Sequence, residues 1–383
     1  MKMVQKRALL FITIFALILS VSAFFLSKYS SLSRLDIAYN NDGVIASKVF
    51  SLEGFKSSVQ SCADANCIYD LFKTLTNDFG AEKALEILGG DVLKGTPAPC
   101  HQVAHIIGKS SISGVEDVEA NLKIESYLCT FGFQHGVIEG ASKALSDSDY
   151  LKYIPKFCDT FDNEMLYHGC LHGLGHALTV RWKGDLEKVQ EGCILYPKGP
   201  ARFFCFDGAI MEWANIEKNK EILSYLKEDN GAVEISCDRF LKDGSLYAAC
   251  IRSIWSIYQN PSIGFRVDDQ YAFWSNKLDF CASLGNFINY CVEGVNTTVS
   301  NQIFIGNFKS VSFAKFCDKV KDKYENGKEH CEFHLARWPM IAEVDTTEFL
   351  PICQSIFGRE SRCERYVELL FEEMREGKDP RAI

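Results

Sequence analysis

The sequence predicts an all-α protein: an array of helical hairpins, either an open α-solenoid or a closed α/α toroid. Each hairpin is expected to carry its own disulfide staple, and one N-terminal transmembrane or signal helix precedes the array. Two observations predict the array. Cysteines recur in couples roughly 10–14 residues apart, and each couple is flanked by segments of helical periodicity with a polar loop between. A third observation, an apolar run behind a basic leader, predicts the leading helix.

Lys2, Lys6 and Arg7 precede an apolar stretch from Ala8 to Leu26, interrupted only by Thr13, Ser20 and Ser22. About 20 apolar residues span a bilayer core. The basic flank stays cytoplasmic, so the remainder of the chain is exported. The segment "VSA" at 21–23 fits a small-residue cleavage site, which makes secretion after signal cleavage the alternative. The apolar run continues past that site, which favours an uncleaved anchor with the body outside the cytoplasm. The expected division is 1–29 anchor or signal, 30–49 linker, 50–376 helical-repeat ectodomain with its histidine-rich repeats at about 95–215, and 377–383 tail.

Sixteen cysteines in 383 residues fit export to an oxidising compartment. In order they couple as Cys62 with Cys67, Cys100 with Cys129, Cys158 with Cys170, Cys193 with Cys205, Cys237 with Cys250, Cys281 with Cys291, Cys317 with Cys331 and Cys353 with Cys363. From Cys170 onward the second members follow at intervals of 35, 45, 41, 40 and 32 residues, a period typical of helical repeats. The first cysteine of a couple is expected to end helix A and the second to begin helix B. Closing a loop of this length stabilises a hairpin by about 3 kcal/mol. At the level of helical hairpins the pattern resembles an α-solenoid of the tetratricopeptide or Sel1-like kind, although the tetratricopeptide signature residues are missing.

Three places after the second cysteine stand Gly132, Gly173, Gly208 and Gly294, with Ser253 in the same place of another unit. A small residue repeated there lets helix B approach a neighbouring helix closely.

Six of the eight histidines fall between residues 101 and 176. His101 and His105 are four apart, as are His135 and Glu139; His168, His172 and His176 follow at the same spacing, which puts each set on one helical face. His135 and His176 both stand six places after a cysteine, so successive repeats would present them from equivalent positions on one concave surface. Near helix N-termini the imidazoles are expected to be neutral and fit to bind a metal. The expected ligands are His101, His105, His135, His172 and His176, with Glu139 as ligand or base. Asp207 and Glu212 in the next unit could complete the site or act as general base. Nitrogen donors with a carboxylate suit a divalent transition metal, with zinc, iron, copper and nickel undistinguished. His330 and His334 stand apart by sequence and would reach the first repeats only if the array closes.

Other features carry less. Cys100 beside His101 would be a nucleophile only if its thiol were free. Asn296-Thr297-Thr298 is a glycosylation sequon. Trp213, Trp255 and Trp338 could line a groove or pack in the core. The formal net charge of −9 disfavours a nucleic-acid partner. Two functions follow: a membrane-anchored metalloenzyme of hydrolytic or oxidative chemistry, or a stapled scaffold holding a peptide, glycan or protein on its concave surface with structural histidines.

Overall fold

The computed structural model describes residues 51–375 apart from 125, 127, 130, 216–236, 260–269, 305–309, 324–326, 338–345 and 359–360. The apolar run 8–26, the linker to residue 49, the C-terminal tail and Trp338 lie outside the described residues. Among the described residues no helix is long and apolar enough to cross a membrane, and there is no strand. Residues Ser57–Ile383 form one compact unit.

The helices are α1 (Leu52–Gln60), α2 (Ala65–Phe79), α3 (Ala81–Leu88), α4 (Cys100–Ser110), α5 (Val115–Leu122), α6 (Gly132–Ala144), α7 (Asp147–Phe157), α8 (Glu164–Arg181), α9 (Leu186–Cys193), α10 (Pro200–Asn215), α11 (Gly244–Ser253), α12 (Gln270–Cys281), α13 (Ile288–Phe304), α14 (Ser310–Lys323), α15 (Gly327–Ala336), α16 (Thr346–Phe357) and α17 (Cys363–Arg375). Side-chain caps set several of their starts. Asn163 accepts from the Leu166 N–H at 3.1 Å and Asp243 from the Ser245 N–H at 3.0 Å, each satisfying a donor that the first turn leaves open.

These caps move one expectation. Helix B does not generally begin at the second cysteine: Cys170 and Cys205 sit well inside α8 and α10, and Cys250 lies late in α11. In α8 and α11 the capping residue, Asn163 or Asp243, stands seven positions upstream of the cysteine, so the helix starts there and the cysteine is buried inside it.

Helices pack in chain order. One series runs α2 on α4, α4 on α6, α6 on α8, α8 on α10, α10 on α11, α11 on α13, α13 on α15 and α15 on α17; the others pack beside it. The most extensive interfaces are α8 with α10 and α4 with α6. Helices α6 and α8 are buried on almost every side, including Phe133, Val137, Ile138, Leu166, Leu171 and Leu174, so neither shows the one-sided stripe of a surface helix. Trp213 and Trp255 are core residues. Asn296 of the sequon is also fully buried within α13, which removes it as a glycosylation site in the folded chain.

Eight disulfides join the cysteines: Cys62–Cys67, Cys100–Cys129, Cys158–Cys170, Cys193–Cys205, Cys237–Cys250, Cys281–Cys291, Cys317–Cys331 and Cys353–Cys363. Cys100 therefore has no free thiol, and a Cys100–His101 nucleophile is excluded.

The repeated glycines meet backbone. A Cβ on Gly208 would lie 2.0 Å from the His172 carbonyl oxygen, and one on Gly294 would lie 1.9 Å from that of Arg252. On Gly173 it would lie 2.3 Å from Cδ2 of His135. Gly208→Ala should therefore force α8 and α10 apart and cost about 1–3 kcal/mol, read as a lowered Tm by circular dichroism. Gly114→Ala, where an added Cβ meets nothing within 4 Å, is the matched control and should cost less than about 1 kcal/mol. Equal Tm values would contradict the close-approach account.

Candidate metal centre

Five histidines from three consecutive packed helices meet in one cluster. Ring centroids of His101 and His105 lie 5.4 and 5.3 Å from that of His135, and those of His172 and His176 lie 5.8 and 5.9 Å from it. His135 thus stands between two pairs, one from α4 and one from α8. His101, His105 and His135 each offer a ligand atom within 4.8 Å of the others and could hold a metal ion.

The hydrogen bonds decide which nitrogens are available. His101 Nδ1 lies 2.7 Å from the Cys129 carbonyl oxygen, which only accepts, so Nδ1 carries the hydrogen. His105 Nδ1 lies 3.1 Å from Oε1 of Glu139, whose other oxygen is 3.4 Å from Lys109 Nζ. Burial opposes ionisation of Glu139, but the hydrogen bond from His105 and the nearby positive charges outweigh it and hold the carboxyl at about 2. His105 Nδ1 must therefore donate as well. In the neutral rings both remaining Nε2 lone pairs point at each other across 3.1 Å.

Two lone pairs at that distance repel unless a cation lies between them. Burial first, then the neighbouring His105, brings the His101 imidazole down to about 4, so a proton shared by the pair does not reside on His101, and a metal ion is the other cation that can bridge it. A metal fits the spacing. Two nitrogens each about 2.0–2.1 Å from one ion are about 2.9 Å apart at a right angle and about 3.3 Å apart at the tetrahedral angle. His135 donates from Nε2 to the Gly169 carbonyl at 3.0 Å, which leaves Nδ1 as its ligand atom. Its imidazole is also held well below its ordinary value, by burial and then by His105 and His101. Each of the three rings is thus oriented by an acceptor on its far nitrogen, the arrangement that fixes metal-binding histidines.

Local backbone builds this arrangement. Cys129 and Phe131 take left-handed conformations, φ 55° and 66°, uncommon for residues with a Cβ. Cys129 is tied by its sulfur to Cys100 and accepts from His101 through its carbonyl. Gly136 lets α6 lie against the His105 carbonyl, where an added Cβ would be 2.2 Å from the oxygen.

The second pair is built alike. His172 and His176 have Nε2 atoms 3.1 Å apart; His172 Nδ1 lies 3.0 Å from Asp207 Oδ2, and His176 Nδ1 lies 3.0 Å from Glu212 Oε2. These two histidines stand midway and late in α8, away from the helix N-terminus, and each faces a carboxylate instead. Asp207 is buried and also engages Arg252, at 2.9 Å, and Ser253. Burial opposes its ionisation, but Arg252 and His172 hold the carboxyl below the usual carboxylate range.

Sequence reasoning missed what lies behind Asp207. Arg252 Nη2 is 2.8 Å from Glu293 Oε1, which is 3.3 Å from Arg337 Nη1, and Arg337 lies 3.4 Å from His334 Nδ1. The signal was present: His172, Asp207, Arg252 and Glu293 each stand two places after the second cysteine of their unit. His168 packs on Phe204 at 4.1 Å between ring centroids and takes no part in the cluster. His334 belongs to this chain of ions, and nothing among the described residues brings it to the five histidines.

The rim reaches solvent, with the side chains of Glu139, Lys109 and Glu212 20%, 33% and 29% exposed. Compared with protein-family models, with curated proteins and with solved structures, the chain matches none of them.

Depressed imidazole values set the pH dependence of the metal-free protein. A group whose folded value lies below its unfolded one supports stability above the unfolded value, near 6.5, and loses that support as pH falls through the folded value. For His101 the interval runs from about 6.5 to about 4 and amounts to about 3 kcal/mol. Melts of chelator-treated protein should show Tm falling across that interval, and His101→Gln should flatten the fall. A Tm constant from pH 7 to pH 4 would contradict a neutral, buried His101.

Proposed function

We propose that the chain is an exported helical-repeat protein whose His101, His105 and His135 bind a divalent transition metal, and that the bound ion makes it a metal-dependent hydrolase. The observation that carries this reading is the pair of Nε2 lone pairs converging at 3.1 Å with both Nδ1 atoms already committed as donors. Three neutral nitrogen donors suit zinc, iron or copper and leave the ion a position for water, which a divalent metal activates as a nucleophile near neutral pH. The solvent-reaching rim supports a catalytic role because water and substrate can reach the ion, whereas a structural site fills its coordination shell with protein ligands. Eight disulfides already supply the cross-links that a structural metal would provide.

Within this reading Glu139 and Asp207 orient His105 and His172 through their Nδ1 atoms, while Glu212, more exposed, orients His176. The apolar run 8–26 anchors the chain to the membrane, or is cleaved as a signal, and the disulfides place the body in an oxidising compartment. A stacked series of helices with glycine and charge repeated at one offset from cysteine supports a repeat array. The scaffold reading has one observation in its favour: a cleft of about 630 Å³ lined by Lys198, Phe203, Lys242, Phe287, Tyr290 and Glu293 could seat a peptide, glycan or protein segment.

The test is elemental analysis of the full chain, produced with its disulfides formed and without a histidine tag. A transition metal should co-purify, and His101→Ala with His105→Ala should remove it while far-UV circular dichroism is retained. Glu139→Gln should weaken binding about 10–100-fold. Metal-loaded protein should hydrolyse members of a panel of activated carboxylic and phosphoric esters, and the double variant should not. A wild-type chain that stays metal-free when zinc, iron(II) and copper(II) are offered would overturn the reading and turn attention to the cleft.

A further inference from the structure

We propose that His172 and His176 hold a second metal ion beside the first, so that the cluster is a two-metal centre with His135 between its halves. The inference rests on the metal-binding reading above and adds a site to it. Its geometry is that of the first pair, repeated on another helix. The two rings are one turn apart on α8, their Nε2 atoms are 3.1 Å apart, and both Nδ1 atoms face carboxylate oxygens at 3.0 Å. A carboxylate oxygen accepts, so each Nδ1 carries a hydrogen, and the tautomer with that one hydrogen turns its Nε2 lone pair toward the other ring. The 3.1 Å separation again falls between the values of about 2.9 and 3.3 Å for two nitrogens on one ion.

What surrounds the pair exceeds what a packing role needs. Asp207 reaches His172 from a buried position where it is matched by Arg252, and Arg252 in turn is matched by Glu293 and Glu293 by Arg337. Burying charges costs several kcal/mol per ion before pairing repays it, and apolar residues of similar volume would fill the same space without that cost. The outcome of the series is one ionised oxygen held against His172 Nδ1. That fixes the tautomer in which Nε2 is a metal donor, as outer carboxylates do for histidine ligands. Arg252 is thereby a positioning residue for this site.

Two protein nitrogens hold an ion less tightly than three, so the ions should load in order, the His101/His105/His135 site first.

The experiment is a titration of the chelator-treated full chain with cobalt(II), following the visible absorption and the bound metal after gel filtration. A parallel copper(II) loading is read by electron paramagnetic resonance. Two equivalents are expected, the second at least 100-fold weaker, with spin coupling between the two copper ions. His172→Ala with His176→Ala should leave one equivalent and abolish the coupling. If that variant fails to fold, Glu212→Gln should still weaken the second equivalent alone, and the wild-type coupling needs no variant. One equivalent in the wild type, lost in His101→Ala/His105→Ala but kept in His172→Ala/His176→Ala, would overturn the second site and leave the first standing. One equivalent lost only in the second variant would overturn both assignments, as would no binding at all.

Discussion

Backbone contact between consecutive helices is the constraint on which the rest of this structure depends. At Gly136, Gly208 and Gly294 the neighbouring helix presents a carbonyl oxygen where a side chain would otherwise begin. Only a residue without a Cβ permits that distance. Once helices lie this close, the residues immediately beside the glycines face the previous helix at short range. On α6 and α8 those residues are histidines. A wider interface would leave the imidazoles as separate surface groups; at this spacing the other four ring centroids each fall within 6 Å of that of His135.

Proximity alone would not make a metal site, since a cluster of five imidazoles can also exchange protons. The difference lies in what occupies the outer nitrogens. The Cys129 carbonyl, Glu139, Asp207 and Glu212 stand at the Nδ1 atoms of the two pairs, and the Gly169 carbonyl at Nε2 of His135. Each acceptor puts a hydrogen on the nitrogen it faces, so that in a neutral ring the lone pair is left on the other. The ring orientations are thereby set by packing, and burial lowers the proton affinity of His101 and His135.

The same register extends past the histidines in a different chemistry. Position two after the second cysteine carries His172, then Asp207, Arg252 and Glu293, and each touches the next across a helix interface. One geometric relation between neighbouring units therefore serves an imidazole at one end and alternating buried charges farther along. The disulfides hold that register, because each ties a helix to the element before it at a fixed point.

Much of this was legible in the sequence. Cysteine spacing is short-range information, so the eight couples, the all-helical class and the small residue at a fixed offset could be read along the chain. The presence of a histidine cluster could be read too, because i,i+4 spacing places His101 with His105 and His172 with His176 on single helical faces. Three things could not. Helix starts depended on which polar residue found an amide to cap, and Asn163 and Asp243 lie far enough upstream to bury the cysteines inside their helices. The burial of Asn296 was not legible in its sequon because local sequence carries no record of what packs over it. Above all, tautomers depended on partners some 30 residues away in the chain, such as Cys129 for His101 and Asp207 for His172. Residue type and spacing determined which atoms could bind a metal. Only the tertiary packing decided which lone pairs were left to do so, because a hydrogen bond is made in space and not along the sequence.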